Sequence, residues 1–180
     1  DAQLSRGLGD VYKRQTRTDD TGKSGKKLKH LIENDGHIVL DKTIVKDNIY
    51  EIRKVVSDNI VNKKVDVIIL SGGTGITGSD GTPEAVIPLM DKTIDGFGEL
   101  FRQKSFEKIK TSSLQSRAIA GVANKTFIFV LPGSMDACIT AWQDIITHQL
   151  NSDTKPCNLV MLMPRPVSYT HLTLPTIGCV

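Results

Sequence analysis

A run of mainly apolar residues, VDVIIL at 65–70, breaks off into SGGTGITGSDGTPEA at 71–85, and that junction restricts the folds open to the chain. Continuous rather than alternating hydrophobicity suits a strand of a parallel sheet with helices on both faces. Glycines at the exit of such a strand let bare backbone N–H groups come up against an anion, where a side chain would obstruct them. That geometry suits a phosphate. Beyond the turn, Thr82, Pro83 and Glu84 read as a helix start, with a hydroxyl N-cap, proline at the first helical position and acid in the first turn. Asp80 stands between cradle and helix. A carboxylate there repels a phosphate unless a cation lies between them, so the two features together point to a magnesium-bound phosphoester.

The remaining pattern extends the same architecture. Leu28, Leu31 and Ile32 recur at helical spacing within residues 21–34, with Gly36 placed for a left-handed C-cap. Residues 37–45 favour a strand, and Ile49, Ile52, Val56 and Ile60 fall on one face of a helix that starts near Asp47 and Asn48. Short helices are expected over 83–90, bent by Pro88, and over 97–104 and 112–122. Residues 126–131 form a second continuous apolar run, followed by Pro132, Gly133, Ser134 and a helix that turns Cys138, Ala141, Trp142 and Ile145 inward. Two strand–turn–helix units in a mostly parallel sheet place two anion-ready helix starts at its carboxyl edge, where open α/β sheets bind ligands.

Composition narrows the function classes. At 180 residues the chain suits one α/β domain burying roughly 70% of its unfolded surface. A net charge of +3, spread along the chain with few aromatic residues, gives no case for a nucleic-acid or membrane-surface partner. Three cysteines without a CxxC pair and four scattered histidines argue against a zinc site or a disulfide framework, and the thiols suit a reducing cytosol. No apolar run reaches the roughly 18 residues of a membrane span, and the first residues lack signal-peptide order, so a cytoplasmic protein is expected. Gly22-Lys23-Ser24 imitates the end of a Walker loop, but Arg17 stands where that motif needs glycine. Residues 1–15 show no strand or helix period, and residues 166–180 differ in composition from what precedes them. GDVYKRQ and VSYTHLTLPT, near the two ends, resemble translated sequencing-adapter remnants. The expected native domain is residues 16–165, between a non-native N-terminal segment and a non-native C-terminal tail.

Over residues 16–165 the chain resembles the molybdenum cofactor biosynthesis family containing MoaB and MogA. The likeness runs through DDTGKSG (19–25), IVKDN (44–48), the glycine-rich segment, GFGELFR (96–102), LQSRAIAGVANKT (114–126) and LPGS (131–134). Cys138, Trp142 and PCN (156–158) resemble the MoaB branch more than the MogA branch. The resemblance implies a three-layer αβα molybdopterin-binding fold, and in active members adenylylation of molybdopterin by ATP with Mg²⁺, releasing pyrophosphate. It also implies a homotrimer or homohexamer. Carried onto this sequence, it assigns phosphate binding to Gly72, Gly73, Thr74 and Gly75. Asp47 and Asp80 become the catalytic and magnesium-holding carboxylates, and Pro132, Gly133 and Ser134 the residues facing the pterin.

Two departures bear on these expectations. Where MogA-type adenylyltransferases often carry basic residues just before the aspartate, this chain has Gly78 and Ser79, which weakens the hold on a triphosphate and supports the alternative of a non-catalytic pterin-binding or assembly protein. The family's first strand, expected just before residue 16, has no match, so it reads as missing or replaced, with a gap near the middle of the sheet. Simpler roles also stand open: Asp47 as the N-cap of the following helix, Asp80 as a turn residue, Ser134 as a helix cap, Trp142 as core. Asp20 and Thr21 read as a helix start. Glu99 and Arg117 fit either an intersubunit ion pair or the site.

Overall fold

A computed structural model describes residues 7–13, by their backbone alone, and residues 23–163. The proposed domain limits at 16 and 165, the Asp20 and Thr21 helix start, and the 166–180 tail lie outside the described residues. Six strands form one sheet: β1 (Gly7–Lys13), β2 (Ile38–Val45), β3 (Val65–Ser71), β4 (Lys92–Thr93), β5 (Ile119–Ala123) and β6 (Thr126–Leu131), in the order β2-β1-β3-β6-β5-β4. β2, β1, β3 and β6 run parallel, and β5 and β4 extend the sheet antiparallel.

The continuous apolar runs behave as a doubly covered sheet requires. Val67 and Ile69 of β3 and Phe127, Phe129 and Leu131 of β6 join one core with α1 (Lys23–Asn34), α4 (Asp95–Ile109) and α5 (Met135–Ala141). Ile68, Leu70, Ile128 and Val130, on the other face, join a second core with α2 (Ile49–Val61) and α3 (Thr82–Val86). This is the three-layer αβα arrangement expected. Strand alternation sends successive side chains to opposite faces, so only a run apolar at every position can fill two cores at once.

The place expected to be missing or replaced is taken by β1, which pairs with β2 on one side and β3 on the other. It comes from residues 7–13, where no strand period had been read. A gap there would orphan the facing N–H and C=O groups of β3 and cut the edge strand β2 off from the sheet, so backbone pairing alone gives a segment without hydrophobic alternation reason to sit there.

Residues 112–122 are not a helix. Residues 110–115 make a tight 3₁₀ stretch that ends α4, and 119–123 form β5, paired with β6 across Asn124 and Lys125. Both turn residues have positive φ, 45° and 73°, the backbone of a two-residue hairpin whose twist matches the strands. The alanine-rich stretch therefore obeys the hairpin rather than its helix propensity. The last long helix is expected correctly but interrupted: α5 passes through a π-helical turn at Trp142–Ile146 into α6 (Thr147–Gln149). Trp142 is fully buried, and its indole donates to Asp35 Oδ2 at 2.7 Å. Gly36, at φ 85°, closes α1 as anticipated, its amide reaching Glu33 O at 3.1 Å. Among the described residues no helix is long and apolar enough to cross a membrane.

Candidate functional site

β3 and β6 lie side by side and parallel, with Ser71 opposite Leu131, so the chain leaves both strands at the same edge. A cleft of about 1060 Å³ opens there. Asp47, Gly72, Gly73, Thr74, Gly75, Asp80, Pro132, Gly133 and Ser134 all line it. Three loops, after β2, β3 and β6, thus bring together the nine residues to which the resemblance assigned phosphate, magnesium or pterin contacts.

The glycine-rich loop is shaped by its carbonyls. Gly72 and Gly73 sit at φ 109° and 64°, open to glycine and strained for other residues. Gly72 O accepts from Thr82 Oγ1 at 2.8 Å, and Gly73 O accepts from the Thr82 amide at 3.1 Å. Arg117 Nε donates to Gly75 O at 2.9 Å and to Thr74 O at 3.3 Å. In a trans peptide the N–H points opposite to its C=O. The amides of Gly73, Thr74 and Gly75 therefore point away from Thr82 and Arg117, and among the described residues none of the three meets an acceptor. Gly72 differs: its N–H is bonded to Leu131 O at 2.9 Å, continuing the sheet. Of the four residues expected to form a cradle, Gly72 therefore lines the cleft but holds its amide inside the protein.

Thr82 is likewise not the N-cap read from the sequence. It is the first residue of α3, preceded by Gly81, and its hydroxyl ties the loop instead of the helix end. Asp47 does not cap α2 either, because the Asn48 side chain accepts from the amides of Tyr50 and Glu51 at 2.9 and 3.2 Å. Half-buried Asp47 lines the cleft one residue ahead of the cap. Asp80 combines two readings left open. Its Oδ2 accepts from the Thr77 hydroxyl and from the Thr77 amide at 3.2 Å, a turn contact, and the same side chain lines the cleft. A Cβ on Gly75 would lie 2.6 Å from that Oδ2, so the glycine also makes room for the carboxylate.

Ser134 does cap α5, accepting from Ala137 N at 3.3 Å, and it lines the cleft with Gly133. A Cβ on Gly133 would stand 3.3 Å from Gly72 Cα, so the two loops meet glycine to glycine. Among the described residues no group of three or more metal-ligating side chains occurs. Two aspartates on one cleft fit magnesium, which takes one or two carboxylates and fills its shell with phosphate and water.

The residue left undecided in the sequence is the hub of the loop. Besides Thr74 and Gly75, Arg117 donates to Asp80 O at 2.6 Å and pairs its Nη1 with Glu84 Oε1. One planar guanidinium thus fixes four acceptors spread over residues 74–84. The signal lay in an arginine at the start of a strand with no partner nearby in sequence, which composition cannot connect to the loop.

Comparison with known proteins agrees with this geometry. The family model described as "Probable molybdopterin binding domain" matches residues 9–152. The chain is 53% identical over 148 residues to Molybdenum cofactor biosynthesis protein B of Escherichia coli K12, covering 82% of this chain and 86% of that protein. Among solved structures it is similar to a crystal structure of molybdenum cofactor biosynthesis protein B, with TM-score 0.80 at 40% identity over 83% of this chain and 94% of the other. It is also similar to a MogA structure, with TM-score 0.70 at 31% identity over 81% and 97% of the two chains. On sequence, fold and the cleft at the carboxyl edge of the sheet, the chain belongs to the molybdenum cofactor biosynthesis family that contains MoaB and MogA.

Proposed function

We propose that this chain serves molybdenum cofactor biosynthesis by binding molybdopterin and adenylylating it with Mg-ATP, releasing pyrophosphate. The observation that carries the reading is the row of three peptide N–H groups, Gly73 to Gly75, held outward from Thr82 and Arg117 on a cleft that also contains Asp47 and Asp80. In the transfer, an oxygen of the pterin's terminal phosphate forms a bond to the α-phosphorus of ATP. The bond from that phosphorus to the bridging oxygen breaks, and its electron pair leaves with pyrophosphate. No covalent protein intermediate is needed, because positioning and preorganised donors supply most of the rate.

The chain's own groups divide this work. The Gly73, Thr74 and Gly75 amides receive phosphate oxygens, and Pro132, Gly133 and Ser134 face the pterin. Asp47 and Asp80 would hold a magnesium ion, which would supply neutralisation of phosphate charge. Thr77 keeps the Asp80 carboxylate in place, and Arg117 and Thr82 keep the peptides turned. A cytoplasmic homotrimer or homohexamer completes this reading.

A second reading, a pterin-binding or assembly protein without catalysis, is favoured by one observation: Ser79 lines the cleft and Gly78 adds no side chain, so the turn before Asp80 supplies no cation to a triphosphate. The deciding experiment follows AMP transfer from labelled ATP to molybdopterin with pyrophosphate detected. Mg-dependent transfer by folded protein supports the enzyme, while pterin binding without transfer selects the second reading. Asp80→Asn slows transfer at least about tenfold, near 1.4 kcal/mol of barrier; unchanged turnover would remove Asp80 from the site.

A further inference from the structure

The cleft extends beyond the glycine-rich loop, onto α4 and α5. Its lining carries three carboxylates, Asp47, Asp80 and Asp136, and among the described residues one cationic side chain, Lys108. At about 1060 Å³ it lies at the upper end of the roughly 300–1,000 Å³ typical of small-molecule pockets. Lys108 comes from the last turn of α4, where a helix favours positive charge. Its Nζ donates to Thr140 Oγ1 at 2.8 Å and lies 3.9 Å from Asp144 Oδ2. Thr140 is buried and belongs to α5, so the half-exposed Lys108 side chain is tied to a second helix. An ammonium has three donors, and one bond to a hydroxyl does not exhaust them.

We propose that Lys108 is the specificity-determining residue for the second, non-nucleotide ligand, pairing with an anionic group of the pterin substrate. This rests on the adenylylation reading, in which the nucleotide phosphates belong to the end of the cleft with Asp47, Asp80 and the Gly73 to Gly75 amides. Lys108 stands on other elements, α4 packed on α5, and Ile109 and Ile139 add apolar surface to the same cleft. The pterin ring is uncharged and its terminal phosphate belongs beside the α-phosphorus of ATP, so the anionic group left for this wall is the dithiolene: apolar side chains take the ring, and the Lys108 ammonium fixes its orientation. Asp136 and Asp144 are the like-charged groups nearby, so an anion gains most where Lys108 faces it directly.

The test compares wild type, Lys108→Met and Lys108→Arg by titration with molybdopterin and, separately, with Mg-ATP. Loss of the ammonium weakens molybdopterin binding about tenfold or more, leaves Mg-ATP within about twofold, and is largely restored by arginine. The wild-type molybdopterin affinity falls with added salt, and the Lys108→Met response is flatter. Equal loss for both ligands, loss confined to Mg-ATP, or no loss at all overturns the proposal. Retained Lys108→Met affinity beside good wild-type binding overturns only the lysine's role, whereas a wild type that binds no molybdopterin overturns the functional reading and this inference together.

Discussion

The loop after β3 and the loop after β6 leave the sheet side by side, yet they are held in unlike ways. The second is local: Ser134 caps its own helix, and Gly133 is small because Gly72 lies against it. The first is held from a distance, its carbonyls tied by Thr82 and by Arg117, the latter 37 to 43 residues away along the chain. A loop shaped by local caps can be read from a few consecutive residues. A loop shaped by a remote guanidinium can be recognised as glycine-rich, but its shape is set by residues that only the fold brings near.

Removing the remote tie is the strongest way to break this contrast. Arg117→Met strips Thr74, Gly75 and Asp80 of their shared donor and removes the ion pair to Glu84. Charge-assisted bonds of this kind contribute about 1.5–3 kcal/mol each before solvent screening, so stability falls by about 2 kcal/mol and Mg-ATP affinity by about a hundredfold. Urea unfolding and calorimetric titration read the two effects, and Arg117→Lys rescues little because an ammonium lacks the planar fork.

A smaller perturbation separates cradle from carboxylate. In Gly75→Ala the new methyl meets Asp80 Oδ2, which Thr77 holds in place, so the carboxylate is displaced. Adenylyl transfer drops about tenfold while chemical denaturation shows little change. Ser134→Ala tests the local loop: the lost cap lowers stability by about 1 kcal/mol, and Mg-ATP binding is unchanged. If that substitution weakened nucleotide binding as strongly as Arg117→Met, the two loops would not differ in the way described.

The smallest effect lies far from the cleft. Half-buried His37 stacks edge-on against Trp142 at 5.7 Å, and burial lowers its pKa from the ordinary 6.5 although nearby Asp35 pulls it upward. The folded state therefore resists protonation. Above pH 6.5 both folded and unfolded imidazoles are neutral and the histidine contributes no pH dependence. Below it the unfolded chain takes up the proton first, and stability falls until the folded imidazole titrates as well. The wild type loses stability relative to His37→Gln as pH drops from 6.5, seen as diverging urea midpoints; parallel curves would contradict it.

Much of the layout was legible because it rests on short-range chemistry. The mainly apolar runs 65–70 and 126–131 announced inner strands, and the glycines and Asp80 announced residues that line the cleft. What stayed hidden depended on partners distant in sequence. β1 carries no readable period because its place is fixed by hydrogen bonds to β2 and β3. β5 looked helical because its alanines say little, while the informative signal was the positive-φ pair Asn124 and Lys125 beyond it. Gly72 seemed equivalent to Gly73 until the sheet claimed its amide. Asn48, rather than its neighbour Asp47, took the cap, and that exchange leaves Asp47 to the cleft.

The most direct measurement is an amide-resolved NMR titration with Mg-ATP. The N–H resonances of Gly73, Thr74 and Gly75 should move most and in concert, and that of Gly72, already bonded to Leu131, should move least. Saturable nucleotide binding that leaves those three amides unmoved would contradict the backbone cradle.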